Sequence, residues 1–218
     1  MRSILIWAFP ALLTGLSAQS CAVAKGLYSA VVHNSGAPSR ADRAMMDARQ
    51  AEFLRDLPQR RIVILPVAVL GRDRRSDTAA ATAIARALRN NGIAAATAST
   101  ADLSLPFEPQ PNEAAIFWSR FKALAVYVAA HPQGDPDYVM LVDVFGAPDR
   151  GLIPAVHVMA VTGKGEMAYR RTWNSQQSLY KEFKPRSLGD AGRMVVADLE
   201  RRSASAKDAT QLPAQESK

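Results

Sequence analysis

The chain has 218 residues, 48% of them apolar, with 27 Lys and Arg against 20 Asp and Glu, a formal net charge of +7 and one cysteine. This excludes a chain too polar to fold and suffices for one domain with a substantial core. The lone Cys21 excludes every multi-cysteine metal or redox motif, and the arginine-rich excess charge suits carboxylate or phosphate contacts as well as a plain soluble surface.

The first elements concern targeting. Arg2 precedes a short apolar run, Ile4 to Leu16, followed by small residues. The run is too short for a spanning helix, so residues 1–24 read as an export signal peptide. Ala22-Val-Ala24 fits cleavage before Lys25. A competing reading centres on Cys21, because Ala18-Gln-Ser-Cys21 is similar to a bacterial lipobox. The chain is therefore expected to be periplasmic or secreted, either soluble or tethered to a membrane through a lipid on Cys21. Cleavage after Ala24 would leave no cysteine, and then no disulfide could support the fold.

Residues 25–60 read as an N-terminal extended segment and a helix. The helix is expected from Ser39 as N-cap to Pro58, with Ala41, Met45, Ala48 and Leu54 as its buried stripe. Residues 61–203 form the expected α/β domain. Arg61 to Leu70 is a nearly continuous apolar run, as for an interior strand, and Pro66 predicts a bulge or an edge there. Gly71 to Asp77 is a charged loop, and Ser76 or Asp77 caps a helix carrying Ala81, Ile84 and Leu88 on one face. Asn91-Gly92 stops it, and Ile93 to Thr97 makes a weak strand. A Pro-rich loop follows, and Asn112 caps a helix to about Ala130. Its stripe is Phe117, Phe121, Leu124 and Val128, with Glu113, Arg120 and Lys122 expected in water.

Three consecutive strands come next. Tyr138 to Phe145 and Ile153 to Val161 are β-rich runs, and Thr162-Gly-Lys-Gly165 is a hairpin signal before a strand ending at Trp173. A two-residue loop at Gly163-Lys164 would pair Ala160 with Met167, Val158 with Tyr169 and Val156 with Arg171. One face then carries Val156, Val158, Ala160, Met167, Tyr169 and Trp173. The other carries His157, Met159, Glu166, Arg170 and Thr172 and is expected to be solvated. Residues 174–186 read as irregular. Ser187 caps a last helix ending near Arg202, and residues 204–218 read as a disordered tail. The expected class is α/β (α+β), with a mixed sheet and a C-terminal three-strand antiparallel meander packed by helices. The first crossover should be parallel and right-handed.

The Ile-Leu-Pro run at 64–66, Pro136-Asp137-Tyr138 opening the strand before the meander, and the Thr162-Gly163-Lys164-Gly165 turn carry a family resemblance. Over about Arg61 to Arg202 the chain resembles the N-terminal α/β domain of TolB, and the curli-secretion and penicillin-binding-protein-activator lipoproteins. The resemblance implies a binding or assembly module of the export compartment and brings no catalytic residue with it.

Candidate chemistry is sparse. His33, His131 and His157 have no carboxylate or histidine at ligand spacing, so no metal or cofactor is expected. The 162–165 turn fails as a phosphate loop, with Val158 where the first glycine would stand and Gly165 where Ser or Thr is needed. Asp135, Asp137, Asp143 and Asp149 are candidate carboxylates, and an enzyme reading would be a small hydrolase using Asp137 and Asp143. Asp143, inside a strand, calls for a partner such as Arg170 or Arg171, and His157 is expected beside Arg170. The favoured binding residues are Arg72, Arg74 and Arg75 together with Phe107, because both loops follow parallel strands and emerge at one end of the sheet. The expected partner is an envelope protein or an anionic polymer, and nucleic acid is disfavoured by the export signal. The principal reading is an exported, non-catalytic envelope accessory protein; the alternatives are the hydrolase and a basic binder of anionic envelope polymers.

Overall fold

Two apolar runs that alternate with capped helices build a mixed, open seven-stranded sheet in a computed structural model of the chain. The structure describes residues 40–72, 74–101, 105–107, 110, 112–131 and 136–211. The signal segment, Cys21, His33, Asp135 and residues 212–218 lie outside these. Residues 44–218 make one compact unit; of the other, residues 1–43, only the first turn of the first helix is described.

That helix, α1 (Arg40–Asp56), is followed by β1 (Arg61–Ile64), β2 (Val67–Leu70), β3 (Arg75–Asp77), α2 (Thr78–Asn90), β4 (Ala95–Ala98) and α3 (Glu113–Ala130). The meander comprises β5 (Tyr138–Ala147), β6 (Leu152–Thr162) and β7 (Met167–Asn174), and α4 (Ser178–Phe183) and α5 (Leu188–Gln211) close the chain. The long apolar run is split at Leu65-Pro66 into β1 and β2, which lie in tandem along one edge of β5, both parallel to it. Between Ile64↔Met140 and Ala68↔Asp143 the run carries one more residue than β5, which is the bulge that Pro66 requires. The parallel β4 pairs with β1, and β3 pairs antiparallel with β2. The other edge of β5 takes β6, and β6 takes β7, both antiparallel.

The helix starts follow their caps. Asp77 accepts from the Ala80 amide at 2.7 Å and Asn112 from the Ala115 amide at 2.9 Å, each satisfying a donor that the first turn leaves open. At Gly71 and Gly146 neighbouring strands nearly touch. A Cβ on Gly71 would stand 2.1 Å from the Gly146 carbonyl oxygen, and Gly146 itself holds φ +106°, which non-glycine residues rarely adopt. This is where β5 slips register against β6 and bends.

Several expectations change. The hairpin loop has three residues: Gly165 takes a positive φ of 77°, and the Thr162 amide donates to the Glu166 carbonyl. A bulge at Ala168 adds a second shift, so Ala160 pairs with Tyr169, Val158 with Arg171 and Val156 with Trp173. Two one-residue shifts restore the parity, and Tyr169 and Trp173 keep the expected face. Met167, between the shifts, crosses to the opposite one and packs with Met159 and Val161. That opposite face is not solvated. Helix α3 covers it, and His157 and Met159 are fully buried. On α1 only the C-terminal end packs, through Phe53 and Leu54, with Leu57 following the helix; Met45 is 49% exposed. Phe53 stacks on Tyr169 and meets Tyr138 edge-on, so the helix end is fixed by aromatic contacts that the weak stripe could not signal. The segment after β7 contains the short α4, and α5 continues beyond Arg202 to Gln211, with Ser203 buried.

Candidate functional site

Arg72 and Arg74, just past the C-terminal end of β2, and Phe107, in the loop after β4, come near Phe145 toward the C-terminal end of β5. Asp143 points from β5 toward α3 and is wholly buried. It is met by Arg120, 1% exposed, whose Nε and Nη2 donate to its two oxygens at 2.8 Å each. The expected partners Arg170 and Arg171 do not reach it. Arg170 lies over the Trp118 ring at 5.7 Å, and Arg171 is on the far face, opposite Val158. Arg120 is not in water because it is one turn beyond Phe117 on the side of α3 that lies against the sheet, where its guanidinium fork meets both oxygens of the carboxylate. Its Nη1 also donates to the carbonyls of Leu105 at 3.2 Å and Pro106 at 3.1 Å. The buried ion pair thereby holds the backbone leading into Phe107.

His157 pairs across the strands with Asp143, but its ring nitrogen Nε2 lies 3.0 Å from Glu113 Oε1 on the first turn of α3. A carboxylate only accepts, so Nε2 carries the proton and Nδ1 is a buried acceptor without a partner among the described residues. Glu113 also accepts from Asn174 at 3.1 Å. The imidazole packs beside Phe145 and Phe117 rather than beside Arg170. Burial lowers its pKa below the ordinary value, and the Glu113 hydrogen bond works against that shift. The sign for stability follows: below about pH 6.5 the unfolded chain takes up this proton before the folded one, so stability falls as pH falls through that value. The expected slope has a ceiling of about 1.4 kcal/mol per pH unit for one proton. Melting curves between pH 7.5 and 5.5 should show this loss in the wild type and a flatter profile in His157→Gln.

The four favoured binding residues come together in part. Arg74 donates from Nη1 to the Phe107 carbonyl at 3.1 Å, and its guanidinium sits 4.8 Å from the Phe107 ring centre. Phe107 in turn meets Phe145 edge-on at 6.5 Å. Arg72 is exposed in the same turn. Arg75 turns away, because it lies in β3, a strand not expected in the charged loop, and pairs with Asp149 at 2.8 Å. Asp137 is at the opposite end of β5, accepting from the Arg61 amide at 2.8 Å and facing Arg60 at 3.5 Å. His131 stacks on Tyr127 one turn back on α3. No group of three or more His, Cys, Asp or Glu side chains placed to hold a metal occurs among the described residues. No helix among them is long and apolar enough to cross a membrane.

No protein-family model matches the chain, and no curated protein matches it. Two solved structures of PelC dodecamers from Paraburkholderia phytofirmans, one of them a point variant, are similar at TM-score 0.34. Their identity to this chain is 14% and 13%, over 67% of this chain and 89% of theirs. Likeness at that level transfers no property, and none is carried over. Arg120, Glu113 and Phe145 are the residues of this region that sequence reasoning did not select. A lone carboxylate inside an apolar strand, Asp143, was the signal for Arg120, since a buried charge demands a paired one.

Proposed function

We propose that this chain is an exported accessory protein of the bacterial envelope that works by binding a protein partner at the end of the sheet where β2 and β5 finish. The observation that supports this reading is Arg74 stacked on Phe107, with Phe145 beneath and Arg72 exposed alongside. A half-buried aromatic anchor rimmed by arginine is the composition of interface hot spots, and this end of an open α/β sheet is where ligands commonly dock. The partner surface is acidic. The export part of the proposal rests on the N-terminal signal sequence, and the resemblance to TolB-type and lipoprotein domains belongs to the same reading.

The hydrolase reading gains no support from the geometry. Asp137 and Asp143 are six residues apart along extended chain, about 20 Å, so they cannot act on one bond. The sequence alternative of an anionic polymer shares the same arginines, and one experiment separates it. A photo-crosslinking residue is placed at Arg72 and, as a control, at the exposed Arg86 on α2. A discrete protein adduct from position 72 alone is expected. With the cross-linker kept at position 72, the triple variant that also carries Arg74→Ala and Arg75→Ala, and separately Phe107→Ala, should each give at least tenfold less adduct. The triple variant should lose no more than about 1 kcal/mol of stability, since exposed ion pairs contribute little. Remaining affinity should be less sensitive to salt. An unchanged adduct from a folded variant would overturn the proposal; a polydisperse carbohydrate or phosphopolymer adduct would favour the polymer.

A further inference from the structure

Beside β7, α4 and α5 lies a second site that the binding surface above does not use. It is a pocket of about 400 Å³, lined among others by Arg171, Trp173, Asp198, Arg201, Arg202 and Ser205. This is within the range of about 300–1,000 Å³ typical of small-ligand sites. Trp173 is 1% exposed, and its indole N–H, a group that can only donate, has no partner among the described residues. The buried Nε of Arg171 also has none, and Arg171 makes no ion pair among the described residues. Buried donors are nearly always paired, so two of them in residues that line one pocket point to an acceptor that the described residues do not supply.

The remaining lining groups define that acceptor. Asp198 is already taken: Tyr169 donates to it at 2.6 Å, and the Arg202 Nε at 2.9 and 3.1 Å. Arg202 thus spends Nε on Asp198 and keeps its two terminal nitrogens for another group. Arg201 is held by Glu182 through both terminal nitrogens. Setting that pair aside, Arg171 and Arg202 face one carboxylate, which leaves the pocket cationic and rich in donors. Guanidinium forks and an indole N–H match the several acceptor oxygens of a tetrahedral oxyanion. We propose that the pocket between β7, α4 and α5 binds a phosphoryl group, held by Arg171, the terminal nitrogens of Arg202 and the Trp173 indole N–H.

The test uses the full chain labelled with nitrogen-15, and inorganic phosphate as the probe at constant ionic strength. The Trp173 indole resonance is assigned by its absence in Trp173→Phe. A saturable shift of this resonance is expected, with acetate far weaker. Arg171→Gln should weaken phosphate at least tenfold while melting like the wild type, because the Arg171 side chain makes no hydrogen bond or ion pair among the described residues. If that variant does not fold, Arg171→Lys is read instead and should weaken phosphate by the loss of the fork. A shift that rises without saturating, or that is the same in the Arg171 variant, overturns the proposal. Two further probes separate the sources of the phosphoryl group. Competition by glycerol 3-phosphate alone identifies a soluble phosphoester. Arg171-dependent sedimentation with vesicles of phosphatidylglycerol in phosphatidylcholine identifies a lipid headgroup. Failure of both to engage the site also overturns it.

Discussion

Replacing Arg120 by Met is expected to destabilise the domain by about 3–5 kcal/mol, because it leaves the Asp143 carboxylate buried and unpaired. Asp143 is fully buried and takes both its close hydrogen bonds from this one guanidinium. Against a total stability of about 5–15 kcal/mol for an ordinary domain, that loss brings the variant near the point of unfolding. The double variant Arg120→Met with Asp143→Leu should recover most of the loss, since apolar groups of similar volume replace a buried pair at little cost. Urea unfolding of the wild type, the two single variants and the double variant gives the coupling directly. The double variant has a second expected result. Without the Arg120 Nη1, the carbonyls of Leu105 and Pro106 lose their anchor, so Phe107 should no longer be held under Arg74. A stable double variant should therefore bind its partner poorly. A double variant no more stable than the singles would show that the pair does more than satisfy itself.

Leu124→Asp and Val158→Asp are expected to abolish cooperative unfolding altogether. Leu124 on α3 and Val158 on β6 are both fully buried, on opposite faces of the sheet. Each change removes apolar burial of about 1.5–3 kcal/mol and buries a carboxylate, whose desolvation the nearest cation, Arg171 across from Val158 on β7 or the already paired Arg120 one turn before Leu124 on α3, offsets only in part. The two costs together exceed what a single domain can lose and stay folded. Circular dichroism melts of both variants should show no transition. A native melt from Val158→Asp would displace β6 from the α1–α5 side of the sheet. A native melt from Leu124→Asp would remove α3 from the other.

The proposed binding surface and the proposed oxyanion pocket occupy different parts of the sheet. One is at the ends of β2 and β5; the other is beside β7, under α4 and α5. Their tests are independent: Arg72 and Arg74 variants should leave the Trp173 resonance responsive to phosphate, and Arg171 variants should leave the Arg72 cross-link intact.

Local chemistry determined much of the architecture from the sequence alone. Asp77 and Asn112 mark helix starts because a side-chain oxygen must satisfy the open amides of the first turn. Pro66 marks the bulge because it cannot donate to a ladder. Alternation over Val156, Val158 and Ala160 marks the face on which they are buried. Those signals operate over a few residues and do not depend on what lies opposite. What lies opposite was decided only by the tertiary structure. Register across the 162–167 turn depends on a three-residue loop and a bulge whose shifts cancel in parity, so Tyr169 and Trp173 were legible and Met167 was not. The polar look of His157 and Arg120 suggested water. Helix α3 instead packs on the sheet and buries both, because Arg120 and Asp143 cancel each other's charge, and Glu113 accepts a hydrogen bond from the imidazole. Such pairing joins residues 23 and 44 positions apart, a distance over which sequence periodicity carries no information.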